Sequence, residues 1–206
     1  MARRNLQNIE DDILDAVTHI GGTKGIPHVT GRSVALACDI SHFTCFNRFK
    51  TTQNMLDAAA IRFERKYMKL SIDMFRQGYN WQTVWDTVLD FLIQDADGTF
   101  YYDRYRTAFG FSPTPENTRA PEFLEFAKIA ADVEGLTDEQ YLLLGDYISA
   151  LAFFYARRII SGQLPDTPAV REFIYKTVAA WRQEFPTRGS RNEVLSSAKN
   201  SDTETV

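Results

Sequence analysis

Along most of the chain, apolar residues recur every three or four positions, which is the spacing of amphipathic helices. The first such pattern follows Asn8, a candidate N-cap, and reaches Gly21-Gly22, which we predict to end the helix. A second, short helix opens at Thr30, and a third follows a turn at residues 39–41. Because no segment alternates as a strand does, the sequence predicts an all-α fold.

The patterns after residue 51 are longer. Thr52 opens one that ends at Gly78, and later helices are predicted over 81–94, 101–109, 121–133, 137–161 and 167–185. This gives about nine helices in all. Residues 187–206 show no apolar periodicity and are predicted to form a disordered tail.

Composition and charge narrow the class of protein. With 44% hydrophobic and 24% charged residues, the chain can bury a real core. The two cysteines cannot form a disulfide framework, so we expect a cytoplasmic protein. The longest apolar run, residues 148–156, is too short to span a bilayer, and the first residues do not read as a signal peptide, so we expect no membrane partner. The net charge of −4 argues against general binding of polyanions, although the first fifty residues are nearly neutral.

The third short helix has two chemically distinct faces. At about 100° per residue, Cys45, Phe46 and Phe49 share one face, and we expect them to pack inward. The other face carries the side chains that we expect to point outward: Phe43, Thr44, Asn47 and Arg48. Asparagine can pair with adenine, arginine with guanine or phosphate, and phenyl and methyl groups can contact the thymine methyl. This face is therefore suited to a major groove of DNA.

The same region resembles a known helix-turn-helix. Residues 30–56 match the pattern of TetR-family transcriptional regulators without a gap, at Thr30, Arg32, Val34-Ala35, Cys38, Ile40-Ser41, Cys45-Phe46, Phe49 and Leu56. The resemblance covers about residues 9–60, and the remainder is similar only in size and helical character. It implies a DNA-binding domain at 1–51 and a ligand-binding and dimerisation domain at 52–186, which the predicted tail at 187–206 follows.

Four positions depart from the family pattern. Asp39 stands for the turn glycine, Phe46 for a phosphate-binding tyrosine, Arg48 for a histidine and Thr52 for a lysine. Asp39 can still adopt a left-handed conformation. By residues and resemblance together, the expected DNA contacts are Thr30, Arg32, Ser41, His42, Phe43, Thr44, Phe46, Asn47, Arg48 and Lys50.

Residues 140–160 are apolar around nearly the whole circumference of the predicted helix, so several of its sides must be covered. A second subunit is the simplest cover for one side, as the resemblance also implies, although a purely internal core fits the periodicity as well. The expected interface of a homodimer comprises Leu144, Ile148, Leu151, Tyr155, Phe173, Ile174, Val178 and Trp181.

Aromatic residues concentrate in the middle of the chain. The resemblance places an effector cavity there, for a small apolar or aromatic molecule, and the expected lining is Phe63, Tyr67, Trp81, Trp85, Tyr105 and Phe153. An ordinary core accounts for the set of rings equally well, and for any single ring it is the favoured interpretation.

We find no pattern typical of catalysis. The three histidines lack metal-ligand spacing, and no nucleophile is paired with a base, so we expect no metal, no cofactor and no enzymatic activity. Cys38 and Cys45 fit small core residues better than a redox pair.

The leading hypothesis is thus a homodimeric, effector-responsive regulator, expected to be a repressor, that reads a palindromic operator in double-stranded DNA. The alternative is a protein of the same fold with weakened DNA binding that acts through protein partners.

Overall fold

The computed structural model describes residues 6–110, 121–131 and 133–180 of the chain. Within these ranges the regular elements are nine α-helices and a short 3-10 turn at Ile26–His28, which confirms the predicted fold class. The helices are α1 (Leu6–Thr23), α2 (Gly31–Ala37), α3 (His42–Phe49), α4 (Thr52–Arg76), α5 (Trp81–Gln94), α6 (Ala96–Phe109), α7 (Pro121–Ala131), α8 (Asp138–Ile160) and α9 (Pro168–Ala179). We call α1–α3 the helix-turn-helix unit and α4–α9 the helical body.

The first helix is longer than predicted at both ends. Asn8 lies inside α1 rather than capping it, and the prediction that Gly21-Gly22 ends the helix is wrong. Both glycines are buried inside α1, where it packs against α6. A Cβ atom at Gly21 would overlap the Tyr101 ring, and one at Gly22 would overlap the backbone of Asp97. The glycines therefore permit a close approach of two helices rather than a stop.

The second helix begins at the capping residue that the sequence predicted, Thr30. The Thr30 hydroxyl accepts a hydrogen bond from the Ser33 N–H at 3.0 Å, and Ser33 Oγ accepts one from the Thr30 N–H at 2.9 Å, which forms a capping box. Asp39 has φ 53° and makes the left-handed turn that lets α3 leave α2 at an angle. Such a turn between two short helices is a helix-turn-helix arrangement.

The helical body is built around α4 and α8. The core side of α4 buries Leu56, Phe63 and Tyr67, and α8 buries Ile148 and Phe153, so one continuous apolar core joins the two units. α6 begins five residues before the predicted position, at Ala96, because Asp95 caps it by accepting from the Gly98 N–H. The predicted tail at 187–206 and the predicted end of the last helix lie outside the described residues. Within the described ranges, no helix is both long and apolar enough to cross a bilayer.

The close approach of α1 and α6 gives a stability prediction. Gly22→Ala adds helix propensity worth about 1 kcal/mol, but its new methyl group meets backbone that cannot move away, and overpacking costs about 1–3 kcal/mol. Because the clash is with the Asp97 backbone rather than a flexible side chain, overpacking should cost the upper part of that range, about 2–3 kcal/mol. We therefore expect the free energy of unfolding, measured by urea titration, to fall by about 1–2 kcal/mol. Gln82→Ala, at an exposed position of α5, is the control and should change it little. A Gly22→Ala variant as stable as the wild type would contradict the packing described.

Candidate nucleic-acid interface

Two buried side chains anchor α3 and set its rotation. Cys45 is fully buried and Phe49 nearly so. The Cys45 Sγ lies 3.3 Å from the Met55 Sδ on α4, and the Phe49 carbonyl accepts a hydrogen bond from the Asn54 amide at 2.8 Å. The buried face of α3 is therefore fixed against its own unit and the start of α4, and its opposite face must point to solvent.

That outward face carries the residues predicted from the sequence. Phe43 is 70% exposed, Asn47 and Arg48 are exposed, and Thr44 is half-buried. One expectation is wrong: Phe46 is 53% exposed and does not pack inward with Cys45. At about 100° per residue, Phe46 lies between the buried Phe49 and the exposed Phe43, at the edge of the buried face, so its ring is on the solvent side with that of Phe43.

The N-terminus of α3 is open and polar. The Ser41 Oγ accepts a hydrogen bond from the Thr44 N–H at 3.0 Å and lies 2.9 Å from the Thr44 Oγ1. Ser41 and His42 are both exposed, so the hydroxyl and the first N–H groups of α3 face solvent. An anion at this end would meet donors and the positive end of the helix dipole.

The cations around α3 differ in their surroundings. Arg48 forms an ion pair with Glu10 of α1, with its Nε 2.8 Å from the carboxylate. The Lys50 ammonium donates to the Asn47 carbonyl at 2.9 Å, which holds it beside the end of α3. Arg32, at the start of α2, is exposed, as is Thr30. Of the ten predicted DNA contacts, nine are thus exposed on or beside α2 and α3, and Thr44 is half-buried.

The predicted effector residues divide into two groups. Tyr67, Trp81, Trp85 and Phe153 line one small cavity between α4, α5, α7 and α8, of about 30 Å³. Trp81 and Trp85 stack with ring centroids 5.5 Å apart. Ligand pockets usually measure hundreds of cubic ångströms, so these helices must separate before a small molecule could enter.

The other two predicted lining residues lie outside this cavity. Phe63 packs against Tyr102, with ring centroids 5.6 Å apart, and Gly98 permits the approach of its ring. The Tyr105 hydroxyl donates to Asp57 at 2.6 Å. Both rings belong to the contact between α4 and α6, because periodicity cannot show which neighbour a buried ring meets.

The predicted dimer residues also fall into different environments. Ile148, Ile174 and Val178 are buried inside the protomer, so their assignment to the surface of a dimer is wrong. Leu144, Leu151 and Tyr155 are half-buried, Phe173 is 68% exposed, and Trp181 lies outside the described residues.

The outer face of α8 was missed by the sequence analysis. Leu143 is 69%, Tyr147 47% and Phe154 41% exposed, and Ala150 lies between the last two. Their spacing of four, three and four places them on one side of the helix. The apolar residues of this face are visible in the sequence, but a helix that is apolar on both sides gives no indication of which side faces its own core.

No sequence-family model matches the chain, and no curated protein matches it. Solved structures do. A TetR family transcription regulator from Marinobacter aquaeolei VT8 superposes with a TM-score of 0.69 at 12% identity, over 88% of this chain and 97% of that one. A TetR-family transcriptional regulator from Haemophilus influenzae Rd superposes with a TM-score of 0.61 at 15% identity, over 85% and 97%. The fold is that of the TetR family.

Within this TetR fold, the packing of α1 on α6 is the most extensive contact between the helix-turn-helix unit and the body, beside the contacts of α1 and α3 with α4. The Arg104 guanidinium of α6 donates to the carbonyls of Gly21 and Gly22, at 2.8 and 2.5 Å. The His19 Nδ1 and the Asp97 Oδ2 lie 2.7 Å apart across the same contact. A displacement of α6 would therefore displace α1 as well.

Metal binding and thiol reactivity find little support in the described residues. Among the described residues, no group of His, Cys, Asp or Glu side chains could hold a metal ion. Burial raises the pKa of the Cys45 thiol, which disfavours the reactive thiolate. Cys38 is half-buried, and its Sγ lies 3.3 Å from the Asp12 carbonyl.

The cap of α3 supplies a second prediction. Ser41→Ala removes the acceptor of the Thr44 N–H and should lower the free energy of unfolding by about 1 kcal/mol, as measured by urea titration. Ser41→Asp retains a capping oxygen and is the matched control, with stability close to that of the wild type. Equal stability of the two variants would contradict the capping role of Ser41.

Proposed function

We propose that the protein is a sequence-specific DNA-binding transcriptional regulator that acts as a homodimer. One observation carries the proposal: α3 is locked by Cys45 and Phe49, and its free face presents Phe43 and Asn47 to solvent. A short, rigid helix with an exposed amide at the centre of its outer face has the shape and the chemistry for a major groove. The TetR fold agrees with this use.

The surroundings of α3 supply contacts to the DNA backbone. The N-terminus of α3 at Ser41, together with Arg32 and Lys50, offers donors and positive charge beside the reading face. Arg48 can reach a phosphate or a base only by leaving Glu10, to which it is paired. Negative DNA would compete for the guanidinium, so this ion pair would lower the affinity without abolishing it.

One half-site offers few base pairs, and two reading helices related by a twofold axis would read a palindrome. The exposed face of α8 (Leu143, Tyr147, Ala150 and Phe154) is a surface suited to a second copy, and α9, which packs on α8, also exposes Phe173. We therefore place the dimer interface on this face rather than on the buried residues Ile148, Ile174 and Val178.

This assignment predicts the oligomeric state of a variant. Leu143→Asp places a charge within the apolar face, at its most exposed large side chain, and we expect it to convert the dimer to a monomer in sedimentation velocity at micromolar concentration. Because Leu143 is 69% exposed, the protomer itself should stay folded, which circular dichroism would verify. Gln82→Asp, an equally acidic change at an exposed site of α5, is the control and should remain dimeric. A dimeric Leu143→Asp variant would exclude this face.

Control by a small molecule would use the cavity that contains Trp81 and Trp85. Its wall is continuous with α6, because Phe153 contacts Tyr102 with ring centroids 5.1 Å apart. α6 in turn contacts α1 through Arg104. A small apolar or aromatic effector that parts α5 and α8 would displace α6 and change the separation of the two reading helices, provided that it binds the displaced state more tightly. In this scheme the effector releases a repressor from its operator.

Selection from a pool of random duplexes tests the DNA-binding function, and a variant tests the reading face. We expect a palindromic sequence to be enriched, and Asn47→Ala to weaken its binding by about 1–3 kcal/mol because a base-edge contact is lost. Gln82→Ala removes an exposed amide of α5, in the helical body, and should bind as the wild type does. An enriched sequence bound equally by Asn47→Ala would contradict the assignment of α3.

The exposed Phe43 also favours a second candidate, in which the same face contacts a protein partner. The salt dependence of binding distinguishes the two candidate functions. Affinity for DNA should fall steeply with salt, since phosphate contacts release counterions, whereas an apolar protein contact should hardly change. Failure to enrich any duplex sequence would favour the protein partner.

A further inference from the structure

We infer that Phe43 and Phe46 recognise the C5 methyl groups of thymines in the major groove, and so set the sequence preference of α3. The inference rests on the proposed DNA-binding function. It adds the identity of the base groups that the helix reads, and it assigns a specificity role to two side chains that cannot form hydrogen bonds.

The exposure of the two rings is the first observation. Phe43 is 70% and Phe46 is 53% exposed, although the protein buries Phe49 of the same helix. The two rings are three residues apart and therefore lie next to each other on the helix surface. They form an apolar edge along one side of Asn47, which follows Phe43 by four residues and shares its face.

The chemistry of the groove is the second step. Base edges in the major groove present hydrogen-bond donors and acceptors, and the thymine methyl is the apolar group that distinguishes one base pair from the others. A phenyl ring offers no donor to a phosphate and no partner to a polar base edge. Contact with methyl groups is thus the interaction through which both rings would favour one DNA sequence over another.

The surroundings of the rings favour DNA over an apolar protein surface. Ser41 and the first N–H groups of α3 border Phe43 on one side, and Lys50 follows Phe46 by four residues. Donors and a cation that flank an apolar edge match phosphates on either side of a groove, whereas an apolar protein partner would supply no negative charge to meet them.

One consequence concerns the operator. Asn47 is suited to pair with adenine through two hydrogen bonds. Because Asn47 and Phe43 share a face, we expect each half-site to contain thymine methyl groups close to the adenine that Asn47 reads. A half-site made of G·C pairs alone should bind poorly.

Replacement of thymine by uracil tests the inference, because it removes the methyl group and leaves every hydrogen-bonding group in place. Each thymine of the selected half-site is changed to uracil in turn, and affinity is measured by fluorescence anisotropy with the full chain. We expect a loss of about fourfold at each methyl that a ring covers, as for the burial of one methyl-sized group. Positions outside the reading face should show no loss.

Two variants assign the effect to the rings. Phe43→Ala should bind the thymine duplex more weakly and should no longer distinguish it from the uracil duplex at its own position. Asn47→Ala should also bind more weakly but should keep the full uracil penalty. Because Phe43 is exposed, its replacement leaves the core intact, which thermal unfolding would verify.

The outcomes separate this inference from the function on which it rests. If the selected duplex binds but uracil costs nothing at any position, or if Phe43→Ala keeps the whole penalty and Phe46→Ala does too, thymine recognition by the rings is wrong while DNA binding stands. If no duplex is enriched at all, the DNA-binding function fails and thymine recognition fails with it.

Discussion

The rotation of α3 about its own axis is the constraint on which the proposed function depends. Cys45 and Phe49 enter the core, and the contact of Cys45 with Met55 and of Phe49 with Asn54 joins α3 to α4. A helix of eight residues has little stability alone, so these two buried side chains and the cap at Ser41 determine both its existence and its orientation. The chemistry of the outer face follows from them, because Phe43 and Asn47 point outward only in this rotation.

Regulation of binding requires that a change in the helical body alters the position of the helix-turn-helix unit. The close packing of α1 on α6 at Gly21-Gly22 and the bonds from Arg104 make a stiff contact rather than a flexible linker. A stiff contact converts movement of α6 into movement of the whole helix-turn-helix unit. The small cavity beside Trp85 is closed in this structure. If it expanded, the body would have two states, and α1 would have a different position in each.

Much of the fold followed from the sequence, and the failures share one physical cause. Periodicity and caps predicted the helices, and the left-handed Asp39 was anticipated because a short polar side chain tolerates that conformation. Gly21-Gly22 was misjudged because a glycine that ends a helix and a glycine that admits a neighbour look alike in sequence. Ile148, Ile174 and Val178 were assigned to a dimer, and Phe46 to the core, because the side of a helix that meets its own protein depends on neighbours far along the chain.

The central claim is that the outer face of α3 is the surface that touches DNA, and a photocross-link tests it most directly. Benzoylphenylalanine in place of Phe43 is irradiated in the complex with the selected duplex, and the same group in place of Tyr79, exposed just before α5, is the control. We predict a covalent protein–DNA adduct from position 43 and none from position 79. A complex that forms fully but gives no adduct from position 43 would contradict the account, because DNA would then be bound by another face.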